Sequence, residues 1–90
     1  MTAALQHIVD LVQEIGLLVT RSEEQGSQKH PSYEVTVNSI LRNEDADAVT
    51  QFLQEHLGSS EVVAFFAVSG LYTRITVTNV PTHPFDPFNL

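Results

Sequence analysis

Residues 33–37 read Tyr-Glu-Val-Thr-Val, and this stretch determines how the rest of the chain is interpreted. The apolar Tyr33, Val35 and Val37 alternate with polar residues, which is the pattern of a β-strand with one buried and one solvated face. About forty residues later, a second predicted strand from Tyr72 to Val80 contains the similar run Ile75-Thr76-Val77. This repetition predicts a chain built from two similar halves.

A helix is predicted ahead of the strands in each half. The first begins at Ala3 after an N-cap at Thr2, carries an apolar stripe at helical spacing, and ends at Gly16. The second begins after an N-cap at Asn43, has acidic residues in its first turn, where the helix dipole favours them, and ends at Gly58.

Two further strands complete the halves. Residues 17–21 predict a strand after the first helix, with a helix extended through Val19 as the alternative. Residues 25–32 are polar, contain Gly and Pro, and predict a loop. Residues 61–68 contain a continuous apolar run, which is typical of a strand covered on both faces, and Ser69-Gly70 predicts a tight turn after it.

The order αββαββ predicts an α+β fold, in which two helices cover one face of a four-stranded antiparallel sheet as a two-layer sandwich. The order resembles that of a ferredoxin-like βαββαβ domain with its first strand moved to the end, a resemblance of topology that implies no function. Because a chain of 90 residues has room for one hydrophobic core, residues 1–80 are predicted to be a single domain. Residues 81–90 form a tail rich in Pro and Phe.

The composition argues against several classes of protein. Eleven acidic residues against four scattered basic ones give a net charge of −7, so we expect no direct binding of nucleic acid. The absence of cysteine rules out disulfides, thiolate metal sites and thiol catalysis. No apolar run approaches the roughly 20 residues that cross a bilayer, and we do not expect the N-terminus to act as a secretory signal, because Gln6, His7 and Asp10 interrupt its apolar residues. We therefore expect no membrane association and a cytoplasmic location.

Residues with catalytic potential are few. His7, Asp10 and Glu14 share one side of the first helix and could face a metal ion or a proton-transfer event, but a solvated helix face is favoured because no fourth ligand is implied. His56 is expected to be packed or hydrogen bonded. The chain has no phosphate-binding glycine loop and no nucleophile elbow. We expect no enzyme, metal site or cofactor, although a small hydrolase or isomerase site at a dimer interface stays open.

The predicted sheet leaves apolar side chains without a helix to cover them. The strand at residues 61–68 must place either Val63, Phe65 and Ala67 or Val62, Ala64 and Phe66 on the outer face. The tail adds apolar residues among three prolines, which favour an extended path. A second copy, another partner or the tail itself could cover this face. The residues predicted to bind a partner are Phe65, Phe66, Phe85, Phe88 and Leu90.

The leading hypothesis is a small non-enzymatic interaction module, expected to be a homodimer, that binds a protein through the open sheet face and the tail. The alternative is an acidic inhibitor that occupies a basic groove meant for nucleic acid, as some phage-encoded antagonists of host defence do. A third possibility is a structural subunit of a larger assembly. The acidic surface of the inhibitor hypothesis comprises Asp10, Glu14, Glu44, Asp45, Asp47 and Glu55.

Overall fold

The computed structural model of the chain describes residues 2–81 and has the predicted element order. Its four strands form one antiparallel sheet in the order β1-β2-β4-β3, so β2 and β4 are central and β1 and β3 are edges. The predicted α+β class is confirmed. The elements are α1 Ala3–Glu14, β1 Val19–Gly26, β2 Pro31–Val37, α2 Asn43–Leu57, β3 Val63–Ser69 and β4 Tyr72–Thr78.

The helix ends follow ordinary capping chemistry. Thr2 Oγ1 accepts a hydrogen bond from Leu5 N at 3.2 Å, which confirms Thr2 as the N-cap of α1. The predicted N-cap of α2 at Asn43 is wrong by one residue, because Arg42 occupies that position. Its backbone N–H donates to Asp45 Oδ2 at 3.0 Å, so the carboxylate supplies the capping bond. Gly58 ends α2 in the left-handed conformation at φ 75°.

The hydrophobic core lies between the two helices and the inner face of the sheet. The central strands contribute its middle, where Val35 pairs directly with Ile75 and Tyr33 with Val77. Val35 and Ile75 occupy matching positions in the two halves of the sequence. Because they pair with each other, β2 and β4 are related by an approximate local two-fold axis. The fully buried apolar residues are Ile8, Val12, Val35, Val37, Leu53, Leu57, Val62, Ile75 and Val77.

The edge strands differ from their predictions. β1 begins at Val19 instead of residue 17 and continues to Gly26, because pairing with β2 holds its polar residues extended. The predicted loop at residues 25–32 is correspondingly shorter, and β2 begins at Pro31. β3 was predicted to be covered on both faces, which is wrong, since it is an edge strand with an exposed outer face.

Two buried or half-buried polar side chains hold the loops around α2. Thr73 is fully buried; its Oγ1 donates to the Ser39 carbonyl at 2.7 Å and accepts from Leu41 N at 3.0 Å. This joins the loop before α2 to the central strand β4. After α2, Gln54 Nε2 donates to the Val62 carbonyl at 3.0 Å and so fixes the path into β3.

Candidate interaction surface

The outer face of the sheet, opposite the helices, has a polar half and an apolar half. The register places Glu23 of β1 beside Glu34 of β2, which in turn pairs with Thr76 of β4. Thr76 pairs with Phe65 of β3. Charged side chains therefore occupy the β1 side of this face, while an aromatic side chain lies at the β3 side.

The apolar half is formed by β3 and the turn into β4, while Arg74 and Thr76 of β4 oppose Ala67 and Phe65 on the same face. Val63, Phe65, Leu71 and Tyr72, defined here as the hairpin patch, are exposed to 37, 61, 71 and 47%. Val63 and Phe65 lie on β3, and Tyr72 pairs with Ser69 at the turn. Single exposed apolar residues are ordinary in proteins, but four on one hairpin indicate a surface used for binding.

The predicted binding residues Phe65 and Phe66 lie on opposite sides of the sheet. Val62 is fully buried, and Ala64 and Phe66 are half-buried and pack against the core. The outer set is therefore Val63, Phe65 and Ala67. Phe66 consequently belongs to the core side, and the hairpin patch contains Phe65 without it.

Sequence reasoning missed Leu71 and Tyr72 as surface residues. Tyr72 begins β4 and alternates with Arg74 and Thr76, so it shares their outward direction. The tight turn predicted at Ser69-Gly70 lies one residue further along, at Gly70-Leu71, because Ser69 still belongs to β3 and pairs with Tyr72. Gly70 adopts φ +62° there, as a tight two-residue turn requires.

The predicted tail residues Phe85, Phe88 and Leu90 lie outside the described residues. The described chain indicates where the tail begins. Thr78, the last residue of β4, pairs with Val63 of the hairpin patch. Asn79 follows at φ 60°, its Nδ2 donating to the Glu61 carbonyl at 3.3 Å, and Val80 packs against the core. The tail therefore starts at the Val63 end of the patch.

The predicted acidic residues all lie exposed on the two helices. Neither α1 nor α2 contains Lys or Arg, so the helix layer is acidic throughout. Asp45 also caps α2, and Asp10 Oδ1 accepts from Gln6 Nε2 at 2.8 Å. The outer sheet face carries charges of both signs instead. Its ion pair between Arg21 and Glu23, 3.8 Å apart and exposed, is of a kind that contributes little stability.

His56 of α2 has structural surroundings. The His56 ring stacks on Phe52 with centroids 4.0 Å apart, and its Nδ1 lies 3.0 Å from the Phe52 carbonyl. Because a carbonyl only accepts, Nδ1 donates in this contact, and the prediction of a packed, hydrogen-bonded His56 is confirmed. Within residues 2–81, no group of three or more His, Cys, Asp or Glu side chains could hold a metal ion, and this includes His7, Asp10 and Glu14 on α1.

An apolar groove of about 350 Å³ lies where the C-terminal end of α1 meets the first turns of α2. Ile15, Leu17, Leu41, Val49 and Phe52 line it, with the Asp45 carboxylate among them. That carboxylate already accepts the capping bond from Arg42 N. The groove therefore has an apolar lining, and its one acidic group, Asp45, is already engaged in capping α2.

Tyr33 is the described ionisable group with a clearly shifted pKa. Burial beneath α1 raises the pKa of its phenol above the usual 10.0, and the nearby Glu24 carboxylate raises it further. The phenol therefore stays neutral at physiological pH and serves the core.

The chain matches no protein-family model and no curated protein. Neither α1 nor α2, the two helices among the described residues, is long and apolar enough to cross a membrane.

Proposed function

We propose that this chain is a small, non-enzymatic, cytoplasmic protein-interaction module whose binding element is the hairpin patch, continued by the C-terminal tail. The observation that carries the proposal is the exposure of Phe65 and Leu71, at 61 and 71%, on one hairpin, which holds most of the exposed large apolar residues of the described chain; Leu18 and Ile40 lie outside it. Fully burying a large apolar side chain is favourable by about 1.5–3 kcal/mol, and a partner that covers these residues would gain part of this free energy on binding.

The surroundings of the patch fit a protein partner. Known interfaces combine an apolar, often aromatic centre with a polar rim, and aromatic residues dominate their binding energy. Here Arg74, Thr76 and Glu34 border Phe65 and Tyr72 on the sheet. The tail would extend this surface with Phe85, Phe88 and Leu90, and its prolines lower the cost of ordering it.

We also propose that the topology is a ferredoxin-like order with the first strand moved to the end of the chain. The position of β4 between β2 and β3 supports this, because the displaced strand is central in that order. The assignment carries no functional weight, since such folds host many unrelated functions.

The acidic helix layer supports a second candidate function, an inhibitor that occupies a basic groove. The specific observation is the segregation of charge, with six carboxylates and neither Lys nor Arg on the two helices. A surface of this kind attracts a basic partner over a distance of about 10 Å at 0.1 M salt, and attraction weakens as salt rises.

Capture from lysate of the source cell, followed by elution in rising salt, separates the two candidates. We expect the full chain to retain a partner at high salt, and Phe65→Ser to weaken retention by about tenfold or more, as for a central interface aromatic. Thr76→Ser, beside Phe65 on the same face, is the matched control and should bind normally. A chain truncated after Val80 measures what the tail contributes.

A charge-neutralised helix variant tests the inhibitor candidate. It combines D10N, E14Q, E44Q, D47N and E55Q and leaves Asp45 intact, because that carboxylate also caps α2. A partner that is lost from this variant and released by salt, yet kept by Phe65→Ser, would replace the leading proposal with the inhibitor. No partner for any variant would contradict both.

A further inference from the structure

We infer that β3 pairs with the β3 strand of a second copy of this chain and joins two four-stranded sheets into one continuous antiparallel sheet. This inference deepens the proposed function by naming one partner, and it uses the backbone edge of β3 more than the outer face. Self-association of the purified chain and capture of another protein are separate measurements, so either can fail without the other.

The two edges of the sheet differ in how they are protected. β1 carries Arg21, Glu23 and Glu24, and its register with β2 shifts between Val19 and Arg21. Charges and bulges of this kind prevent an edge strand from pairing with another chain. An edge of this composition is poorly suited to receive a further strand.

β3 has none of these protections. Its residues, Val-Ala-Phe-Phe-Ala-Val-Ser, include no charge and no proline, and its register with β4 runs unbroken from Val63 to Ser69. Within residues 2–81 it pairs with β4 alone, so its other side presents backbone N–H and C=O groups. An apolar, unpaired edge without bulge, charge or proline is a template for one more strand.

The distribution of charge favours a second copy of the chain as the source of the added strand. Each copy has a net charge of −7, so two copies repel wherever their carboxylates meet. Residues 62–73 contain no charged side chain, and this uncharged run includes all of β3 and the hairpin turn. Two copies can approach along β3 without opposing like charges, whereas pairing along β1 would bring the carboxylates of Glu23 and Glu24 from both copies close together.

The order of side-chain sizes in β3 suits pairing with a second β3. Residues 63–68 read Val-Ala-Phe-Phe-Ala-Val, with each phenylalanine followed or preceded by an alanine. In an antiparallel pair, directly opposed residues point to the same face of the sheet. Two identical strands related by a two-fold axis therefore place one residue opposite its own copy, and near the middle of β3 that residue is Phe65 or Phe66. With the axis at Phe65, Phe66 opposes Ala64 of the partner subunit; with the axis at Phe66, Phe65 opposes Ala67.

In both registers one phenylalanine meets its own copy on the axis and the other faces an alanine. Large side chains therefore always have space beside them, and aromatic pairs across strands are favourable. The β3–β3 pair would also lie beside three side chains that are exposed in the single chain. These are Phe65, Val63 and Val68, exposed to 61, 37 and 50%. Because strand pairing alone makes a small interface, we expect a dimer that dissociates on dilution.

Sedimentation equilibrium of the purified full chain tests the inference, over concentrations on the order of 10 to 500 µM. The average mass should rise from 10.0 kDa towards twice that value with concentration. Phe65→Lys should weaken self-association at least tenfold, because a lysine on an edge strand blocks pairing. Phe65 is largely exposed, so the variant should fold; Ala67→Lys is a second variant should it fail.

Two controls make the result specific. Gln25→Lys adds the same charge to an exposed position on β1 and should leave self-association unchanged. Tyr72→Ser alters the hairpin patch away from the β3 edge and should weaken capture of a partner while leaving the dimer intact. A wild-type chain that stays at 10.0 kDa throughout, or equal losses in Phe65→Lys and Gln25→Lys, would overturn the inference.

Amide hydrogen exchange distinguishes a second copy from other occupants. We expect the β3 amides that point away from β4 to become protected as concentration rises. Protection in a chain that remains monomeric would assign the edge to the chain's own tail and overturn the inference, as would exchange at β3 that does not change with concentration.

Discussion

Phe65 and Phe66 are consecutive and chemically identical, yet one is 61% exposed and the other packs against the core. The two-residue period of a strand makes this division unavoidable, and the sequence predicted it in both possible senses. It could not decide between them, because the choice depends on how β3 registers with β4. Val62, fully buried before the strand begins, fixes the sense in the structure.

Tyr33 predicts a specific loss of stability in alkali. Its pKa is raised in the folded state by burial and then by Glu24, so the unfolded chain loses the phenolic proton first as pH rises past about 10. The free energy of unfolding should therefore fall with pH, by at most about 1.4 kcal/mol per pH unit from this group.

Urea unfolding of wild type and Tyr33→Phe on both sides of pH 10 measures this effect. We expect a shallower alkaline loss in Tyr33→Phe and an unchanged loss in Tyr72→Phe, since Tyr72 is exposed. The same slope in wild type and Tyr33→Phe would show that the Tyr33 phenol does not govern the alkaline loss.

At the scale of elements, α2 is placed on the sheet through Thr73. Its hydroxyl satisfies both the Ser39 carbonyl and the Leu41 N–H in the loop before the helix. Thr73→Val keeps the shape but leaves these two backbone groups unpaired, at a cost of about 1–3 kcal/mol. Thermal and urea unfolding should show this loss.

Thr76→Val, on the outer face of the same strand, is the matched control and should change stability by no more than about 0.5 kcal/mol. Equal losses in the two variants would mean that β-strand packing, and not the loop hydrogen bonds, accounts for the effect.

The helices and central strands were predictable because their apolar spacing is set by local geometry. Thr2, Gly58 and the alternation around Val35 are examples. The edge strands were harder to predict. β1 is polar and mostly exposed, so only its pairing with β2 marks it as a strand. β3 reads like a central strand, and strand order, which is not a local property, makes it an edge.

At the scale of the whole molecule, charge and apolar surface are separated. The helix layer carries acidic residues without Lys or Arg, while the β3 side of the sheet is apolar and uncharged. The acidic composition was evident from the sequence, but its segregation from the apolar edge depends on the sheet order. Each chain has a net charge of −7, and this arrangement favours association through the β3 side of the sheet, where repulsion between two acidic chains is weakest.

The most direct test of the proposed binding surface is photocrosslinking in the source cell, with benzoylphenylalanine in place of Phe65. Gln25, exposed at the opposite edge of the sheet, is the control position for the same probe. We predict a protein adduct from position 65 and none from position 25, with an adduct of twice the 10.0 kDa chain mass marking a second copy. No adduct at position 65, or equal adducts at both positions, would contradict the assignment of the hairpin patch as an interaction surface.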